Sequence, residues 1–412
     1  MDKVINKNFA FLWIGKLISQ LGDNFYGIAL SWWILQKTNS PSTMGLFLLI
    51  SVLPGIIFGL FAGALTDRWK RKSMLIITDL IRGGLILVIS YLSMISALEI
   101  WHVFVIGFGL SLAASFFDPA IQAIIPDIVE GEKLTKANGM SQMVNGACTV
   151  TGPLLGGLAV STFGMTNVFL ANGISYLISA CLAGFIKTNN SFVTLSEKKN
   201  IREDILEGIA FIKGQKDIVI IMKIIAIGHF FIGSQAVLLP FLAKQLQGNG
   251  VTNLGYLQMM LGVGLIVGSV IAGLKKTSSI HLDRMLLYII GVGVCFSILG
   301  ITQISGVRAI YIYMLVIMVM GGCIANASVY WQSLLQSNTP ANLTGRVFGL
   351  STLVADISLP LAYGSFGMLL EFSTTGVLLI ICGICLLSYT ILLMLLQGLK
   401  MHKEERDSES AH

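Results

Sequence analysis

Long apolar runs separated by short polar loops form the main pattern of this chain. A helix that crosses the hydrocarbon core of a bilayer needs about 20 residues, and twelve runs of that length follow one another along the sequence. The pattern predicts an all-α polytopic membrane protein with twelve transmembrane helices in two six-helix bundles. The predicted spans lie near 9–35, 44–66, 74–96, 100–125, 138–162 and 166–187, and then near 218–243, 252–274, 284–304, 308–334, 345–369 and 374–397.

One long polar interruption divides these runs into six and six. Within it, isoleucines recur at helical spacing between charged residues, at 201, 205, 209 and 212. This spacing predicts a short amphipathic helix on the membrane surface, with a solvated linker as the alternative. The predicted divisions are a first bundle at 1–187, a linker at 188–217, a second bundle at 218–400 and a tail at 401–412.

The second predicted span ends in a distinctive way. Glycines occur every fourth residue at Gly55, Gly59 and Gly63, so one helix face is open to a neighbouring backbone. A similar pattern, Gly264 and Gly268 before a basic pair, recurs in the second half. We therefore expect two equivalent helices that pack closely where the two bundles meet. The first of them is followed by Asp67, Arg68, Lys70, Arg71 and Lys72.

Composition and charge agree with a membrane protein. Only 12% of the residues are charged and 55% are hydrophobic, whereas soluble proteins carry about 25% charged residues. Among the loop and tail cations, only Lys37, Lys244 and Arg308 fall in predicted outer loops when both termini are placed inside. Because cations are retained on the cytoplasmic side, both termini are predicted to be cytoplasmic.

Several function classes are excluded by what the sequence lacks. The net charge of +6 is spread over short loops rather than over one basic face, which argues against a nucleic-acid partner. The six cysteines lie in apolar runs and predict neither a disulfide framework nor a metal site. No phosphate-binding loop and no nucleophile–base constellation occurs, so neither an enzyme nor a cofactor is expected.

Ionisable residues inside the predicted spans are functional candidates because each costs about 2.5–3.5 kcal/mol on insertion scales. Asp23 lies in the middle of the first span on a polar stripe with Gln20 and Asn24. A carboxylate removed from water binds a proton more readily, which is what a proton carrier needs. The alternative for Asp23 is a structural carboxylate whose oxygens are satisfied by neighbours.

Two interpretations are open for Asp118, and two for the pair of Asp79 and Arg82. Asp118 follows the aromatic pair at 116 and 117, which suits an amphipathic cation, but it could equally bind a lysine or a backbone amide. Asp79 and Arg82 are three residues apart and are expected to pair on one helix face. Either that pair is a local clamp, or Asp79 joins the cations that follow the second span in a gate that exchanges partners between conformations.

Specific motifs resemble the major facilitator superfamily, and within it the drug:proton antiporter branch with the macrolide efflux proteins. Gly63-x-x-x-Asp67-Arg68-x-Lys70-Arg71-Lys72 is similar to the loop motif between helices two and three. Gly152-Pro153-x-x-Gly156-Gly157 is similar to the antiporter motif of helix five. Related proteins commonly carry an arginine in helix four, where this chain has Leu110.

This resemblance implies a monomeric bacterial cell-membrane transporter that exports amphipathic small molecules in exchange for protons by alternating access. The cavity is expected to be apolar with few polar anchors. Proton coupling is expected at Asp23 and Asp118, and gating at Gly63, Asp67, Arg68, Arg71, Lys72, Asp79 and Arg82. Substrate contacts are expected at Gln20, Asp23, Asn24, Phe117, Asp118, His229, Gln235, Asn326, Tyr330 and Gln332.

Two alternatives remain open at this point. Lysophospholipid flippases of the same superfamily share the Gly22-Asp23-Asn24 type of opening, so a lipid or siderophore carrier is the nearest alternative. The second alternative is a membrane scaffold or sensor that keeps the fold without transporting anything. Because apolar and aromatic pockets discriminate weakly between greasy substrates, the sequence does not specify the substrate.

Overall fold

The computed structural model describes residues 6–66, 69–129, 133–187, 201–274, 282–340 and 343–409. These residues form thirteen α-helices joined by short connections. In chain order the helices are α1 (Lys7–Thr38), α2 (Pro41–Thr66), α3 (Arg71–Met94), α4 (Ile100–Ile128), α5 (Leu134–Phe163), α6 (Met165–Gly184), α7 (Ile201–Gly214), α8 (Lys216–Gln245), α9 (Gly250–Leu274), α10 (Leu282–Ile304), α11 (Ile310–Asn338), α12 (Thr344–Glu371) and α13 (Thr375–Glu409).

Twelve of these helices correspond to the twelve predicted spans. Eleven of them are long and apolar enough to cross a membrane by length and composition. The exception is α1, which is 32 residues long but carries Lys16, Gln20, Asp23 and Asn24, so its hydropathy is lower. Three of these residues, Gln20, Asp23 and Asn24, form its predicted polar stripe. The predicted all-α, polytopic architecture is confirmed.

Local sequence signals explain where several helices begin and end. The Asn6 side chain accepts a 2.8 Å hydrogen bond from the Phe9 amide and so caps the start of α1. The helix ends at Asn39, which adopts the left-handed conformation that asparagine tolerates. At the junction of α5 and α6, Gly164 has a φ of 79°, which a residue with a side chain rarely adopts.

The chain divides into two compact units that do not follow the boundary between its halves. The first comprises Met1–Lys198, Leu239–Met259 and Leu359–Glu371. In this unit α1 packs against α5 and α6, while α4 packs against α2 and α3. The unit also contains the end of α8, the start of α9 and the end of α12. The second unit comprises Lys199–Leu238, Met260–Ser358 and Phe372–His412.

Glycines allow two pairs of helices in the first unit to approach closely. A Cβ on Gly157 of α5 would lie 2.9 Å from the Val251 carbonyl oxygen and 3.3 Å from the Gly255 Cα of α9. A Cβ on Gly45 of α2 would lie 3.0 Å from the Gly367 Cα of α12. Helices in a membrane associate by such backbone contact, because the lipid offers no hydrophobic driving force between them.

The glycine pattern of α9 packs differently from the prediction. A Cβ on Gly264 would lie 2.0 Å from the Met318 carbonyl oxygen, and one on Gly268 would lie 2.5 Å from the Gly322 carbonyl oxygen. Both partners belong to α11 of the same half, so the prediction that these glycines pack where the halves meet is wrong. In α2, a Cβ on Gly59 would meet nothing within 4 Å.

The predicted linker helix is present as α7. A Cβ on Gly208 would lie 3.3 Å from the Cβ of Arg346, and Glu207 forms an ion pair with the Arg346 guanidinium. Helix α7 therefore rests on the first turn of α12 within the second unit. Its predicted position on a membrane surface stays a prediction.

A charged cavity in the first unit

A cavity of about 640 Å³ opens between α1, α3, α4 and α5 of the first unit. Four of the five residues that the sequence selected in this half line it, and Asn24 does not. The lining is mostly polar, so the predicted apolar cavity with few anchors is wrong for this unit. It consists of Lys16, Ser19, Gln20, Asp23, Arg82, Phe117, Asp118, Ile121, Gln122, Ile125, Asn138, Ser141, Gln142 and Asn145.

Asp23 faces the cavity from α1 and is held by α6. Its Oδ1 accepts a hydrogen bond from the hydroxyl group of Tyr176. Helix α6 can come this close because Gly22 has no side chain. A Cβ on Gly22 would lie 2.3 Å from the Asn172 Oδ1 and 2.5 Å from the Ser175 Oγ. Glycine at position 22 therefore allows α6 to place the Tyr176 hydroxyl within hydrogen-bonding distance of the Asp23 carboxylate.

Arg82 of α3 is the buried cation of this cavity. Only 8% of the residue is exposed, and its guanidinium lies 4.7 Å from the ring centroid of Phe117 and 5.3 Å from that of Tyr176. Two aromatic faces replace water around the cation. The guanidinium also interacts electrostatically with Asp23, Asp79 and Asp118. One cation is therefore attracted by three carboxyl groups.

The predicted pair between Asp79 and Arg82 does not form. Asp79 is 1% exposed, and neither of its carboxyl oxygens has a hydrogen-bond partner. The ion pairs of the described residues are Lys37–Glu99, Arg71–Asp127 and Arg346–Glu207. The structure thus separates the two charges and points Arg82 at the aromatic rings.

Asp118 of α4 and Lys16 of α1 line the same cavity. The two side chains attract each other electrostatically, and the Lys16 Nζ donates a 2.7 Å hydrogen bond to the Ser141 hydroxyl of α5. Lys16 therefore belongs to the site, but no ion pair joins it to Asp118 among the described residues, so the binding of a lysine by Asp118 stays a prediction.

The antiporter-like motif of α5 positions the polar stripe of α1. A Cβ on Gly152 would lie 2.5 Å from the Asn24 Cβ, and one on Gly156 would lie 3.0 Å from the Phe25 Cα. Pro153 and Gly157 of the same motif contact Gly255 of α9 instead. One face of the motif therefore holds α1, and the adjacent face holds α9.

The second unit contains a smaller, apolar cavity of about 110 Å³. His229 of α8 and Trp331 of α11 meet at its wall with their rings edge to face, 5.5 Å between centroids. The His229 Nδ1 lies 3.0 Å from the Ile225 carbonyl oxygen, so this nitrogen carries a hydrogen. Of the residues that the sequence selected in this half, only His229 lines this cavity.

The other four selected residues of the second half are not gathered at one place. The Asn326 amide donates hydrogen bonds to the Gly268 and Gly322 carbonyl oxygens, at 3.0 and 2.9 Å, and so ties α11 to α9. Tyr330 is buried and stacks on Tyr288. Gln235 is buried against Met320, whereas Gln332 is exposed.

The predicted gating residues fall into two groups. Arg71 pairs with Asp127 of α4 at 2.7 Å, and the Lys72 Nζ donates to the Gly184 carbonyl oxygen of α6 at 2.6 Å. Both contacts lie within the first unit. Gly63 lies in the last turn of α2, and Asp67 and Arg68 lie outside the described residues. Gating by these residues stays a prediction.

Sequence reasoning missed Lys16 and Tyr176 as members of the site. Lys16 lies seven residues before Asp23 on α1, and a spacing of seven places both on one helix face. That signal was available. Tyr176 offered no comparable signal, because only the packing of α6 on α1 brings its hydroxyl to Asp23.

Comparison with known proteins agrees with this architecture. Residues 3–412 match the family of transmembrane secretion effectors of the major facilitator superfamily. The chain belongs to this family. It is 25% identical to the uncharacterised transporter YfiS of Bacillus subtilis, over 97% of this chain and 95% of that protein.

Two relatives carry names that describe efflux. Macrolide efflux protein A of Streptococcus pyogenes is 22% identical over 88% of this chain and 89% of its own length. The multidrug efflux pump Tap of Mycolicibacterium fortuitum is 23% identical over 86% of each chain. The protein is therefore a multi-pass membrane transporter of the major facilitator type and not an enzyme.

Solved structures show the same fold. A bacterial homologue of the iron transporter ferroportin, in an inward-facing state, superposes with a TM-score of 0.72 at 16% identity, over 93% of this chain and 97% of that one. The nucleoside transporter NupG superposes with a TM-score of 0.74 at 10% identity, over 94% and 97% of the two chains. At these identities the likeness concerns the fold alone.

Proposed function

We propose that this transporter exports amphipathic small molecules that carry a positive charge and hydrogen-bonding groups, in exchange for protons. The observation that carries the proposal is the placement of two carboxyl groups, Asp23 and Asp118, on the wall of one cavity inside the first unit. Each group can hold either a proton or the cationic part of a substrate. Competition between these two ligands at the same carboxyl groups is the requirement for antiport.

The rest of the lining favours a substrate with polar groups. The cavity presents amides from Gln20, Gln122, Asn138, Gln142 and Asn145. Such groups donate and accept hydrogen bonds with hydroxyl, ether and carbonyl oxygens. Macrolides combine an amine with many such oxygens, and efflux relatives of this chain carry that substrate class in their names. The Phe117 ring adds an apolar face beside these amides.

A resistance assay tests the export function. The protein is expressed in a bacterial host that lacks its own major pumps, and growth is measured with erythromycin and with ethidium, against the empty vector. We expect raised resistance to at least one of the two, and lower ethidium accumulation that returns to the vector level when a protonophore collapses the gradient. Unchanged growth and accumulation with both compounds would contradict export of cationic amphiphiles.

Asp23→Asn tests the coupling residue in the same cells. The amide keeps the shape of the side chain but neither binds a proton nor carries a charge, so we expect the gradient-dependent efflux to be lost. Gly146→Ala in α5 is the matched control, because a Cβ there meets nothing within 4 Å. Wild-type efflux by the Asp23→Asn variant would remove Asp23 from proton coupling.

A lipid carrier remains the second candidate, on one specific observation. Lys16 and Arg82 line the same cavity as Asp23 and Asp118, so the wall offers both signs of charge to a zwitterionic head group. Reconstituted protein should then move fluorescent lysophosphatidylethanolamine between leaflets with no pH gradient present. If the lipid does not move between leaflets but the pH gradient drives ethidium transport, the lipid carrier is rejected in favour of the antiporter.

A further inference from the structure

Asp79 is a buried carboxyl group that does not line the cavity. It is 1% exposed, and neither oxygen receives a hydrogen bond of standard geometry, although the Ser179 hydroxyl of α6 is close enough to interact with it. The charged or polar groups that interact with it are Ser179 of α6, Arg82 of α3 and Asp23 of α1. An ionised carboxylate enclosed in this way, without an ion pair, is strongly destabilised. This burial favours the neutral, protonated acid in this conformation.

Arg82 lies one helical turn from Asp79 and has an unusual set of neighbours. Its guanidinium is held by the rings of Phe117 and Tyr176, and it forms no ion pair within the described part of the chain. Because this guanidinium is not fixed by a direct ion pair, a second arrangement is available to it, in which it pairs with Asp79. Residues at i and i+3 on a helix are close enough for that pair.

We propose that Asp79 is the residue that carries the exchanged proton, and that Arg82 controls its release by moving between the cavity carboxylates and Asp79. The inference rests on the proposed proton antiport but moves the bound proton from Asp23 and Asp118 to Asp79. Asp23 and Asp118 then act as the substrate-facing carboxylates.

The steps conserve charge. In this conformation the ionised Asp23 and Asp118 balance Arg82 and Lys16, while Asp79 is neutral. When a monovalent cationic substrate engages Asp23 and Asp118, it displaces the Arg82 guanidinium towards Asp79. The O–H bond of Asp79 breaks, its proton leaves to solvent, and the Asp79–Arg82 ion pair forms. After the substrate leaves, Arg82 returns to the cavity and Asp79 takes up one proton. One cation is exchanged for one proton in each cycle.

Infrared spectroscopy of the purified protein in lipid vesicles, without substrate, reads the protonated acid directly. We expect the carbonyl band of a protonated carboxyl group at neutral pH in the wild type, its loss in Asp79→Asn and its retention in Asp23→Asn. Thr78→Val is the matched control: Thr78 is buried next to Asp79, but its hydroxyl bonds only within α3, to Met74 and Leu75. A band that survives in Asp79→Asn, or that disappears in Asp23→Asn instead, overturns the proposal.

Arg82→Gln provides a second variant if Asp79→Asn does not fold. Without the guanidinium, the ionised form of Asp79 has no partner, so the band should persist to higher pH than in the wild type. An identical titration of the band in Arg82→Gln and the wild type overturns the role of Arg82.

A transport measurement in vesicles tests the role of Asp79 separately from the proposed proton antiport. Vesicles that contain the wild type should accumulate ethidium against its gradient when a pH gradient is imposed, and Asp79→Asn should lose that accumulation. No response of the wild type to the pH gradient would refute proton antiport itself. A response of the wild type that Asp79→Asn reproduces in full would leave antiport standing and refute Asp79 as the carrier.

Discussion

The carboxylate of Glu371 accepts a 2.8 Å hydrogen bond from the hydroxyl group of Ser40, although 331 residues separate the two in the sequence. The same oxygen accepts a 3.1 Å bond from the Ser42 amide in the first turn of α2. Amides of a first turn have no partner within their own helix. The last residue of α12 therefore caps α2, next to the close contact between Gly45 and Gly367.

This cap leads to a prediction for Glu371→Gln. The amide keeps the length of the side chain but removes the charge that strengthens both bonds, so the ends of α2 and α12 should separate more often. To measure this separation, a cysteine is placed on the cavity wall by Ser19→Cys in a background without the native cysteines. This cysteine should react faster with an impermeant maleimide that is added on the side of the membrane on which Glu371 lies.

Glu99→Gln is the control for this measurement. Glu99 pairs with Lys37 at 3.3 Å, and both side chains are largely exposed, at 53% and 43%. Exposed pairs contribute about 0–1 kcal/mol, and this one joins α1 to the start of α4 without involving α12. Equal labelling rates in the Glu371→Gln and Glu99→Gln variants would show that the cap does not hold the two helices together.

Gly157→Ala should weaken the contact between α5 and α9. The added methyl group would lie 2.9 Å from a backbone oxygen, so the helices must move apart, and overpacking of this kind costs about 1–3 kcal/mol. Thermal unfolding in detergent should show a lower midpoint than in Gly146→Ala, where the methyl group has space. Both variants gain the same helix propensity, so their difference reports the clash. Equal midpoints would contradict the contact.

The bond from Tyr176 to Asp23 can be measured with a double-mutant cycle. Tyr176→Phe removes the hydroxyl but keeps the ring that faces Arg82. Since hydrogen bonds to charged groups contribute about 1.5–3 kcal/mol, we expect a coupling free energy of that size between Tyr176→Phe and Asp23→Asn in chemical unfolding. A coupling free energy near zero would show that the hydroxyl does not stabilise the carboxylate.

Asn326→Ala distinguishes helix packing from substrate binding. The amide makes one interhelical bond, to a backbone oxygen of α9, and one bond within α11, and interhelical bonds in membrane proteins average about 0.6 kcal/mol. We expect a loss of stability of about 1 kcal/mol and an unchanged KM for ethidium. The exposed Gln332→Ala serves as the stability control. An increased KM with unchanged stability would support the substrate-binding role that the sequence suggested for Asn326.

The sequence was sufficient for the helices, the membrane and the family, because each depends on local properties. Twenty apolar residues span a bilayer wherever they occur in the chain. An ionisable residue inside such a run is costly, whatever its neighbours, which is why Asp23 and Asp118 could be selected from their positions alone. The amphipathic spacing of α7 was equally local, and that helix is present.

The tertiary structure decided which side chains meet. Asp79 and Arg82 have the spacing of a helical pair, but the rings of Phe117 and Tyr176 hold the guanidinium and leave the acid without a partner. Gly264 and Gly268 have the pattern of a helix contact, but their partner proved to be α11. Spacing along one helix determines which residues share a face. The direction of that face depends on how the helices pack, and packing is a property of the whole chain.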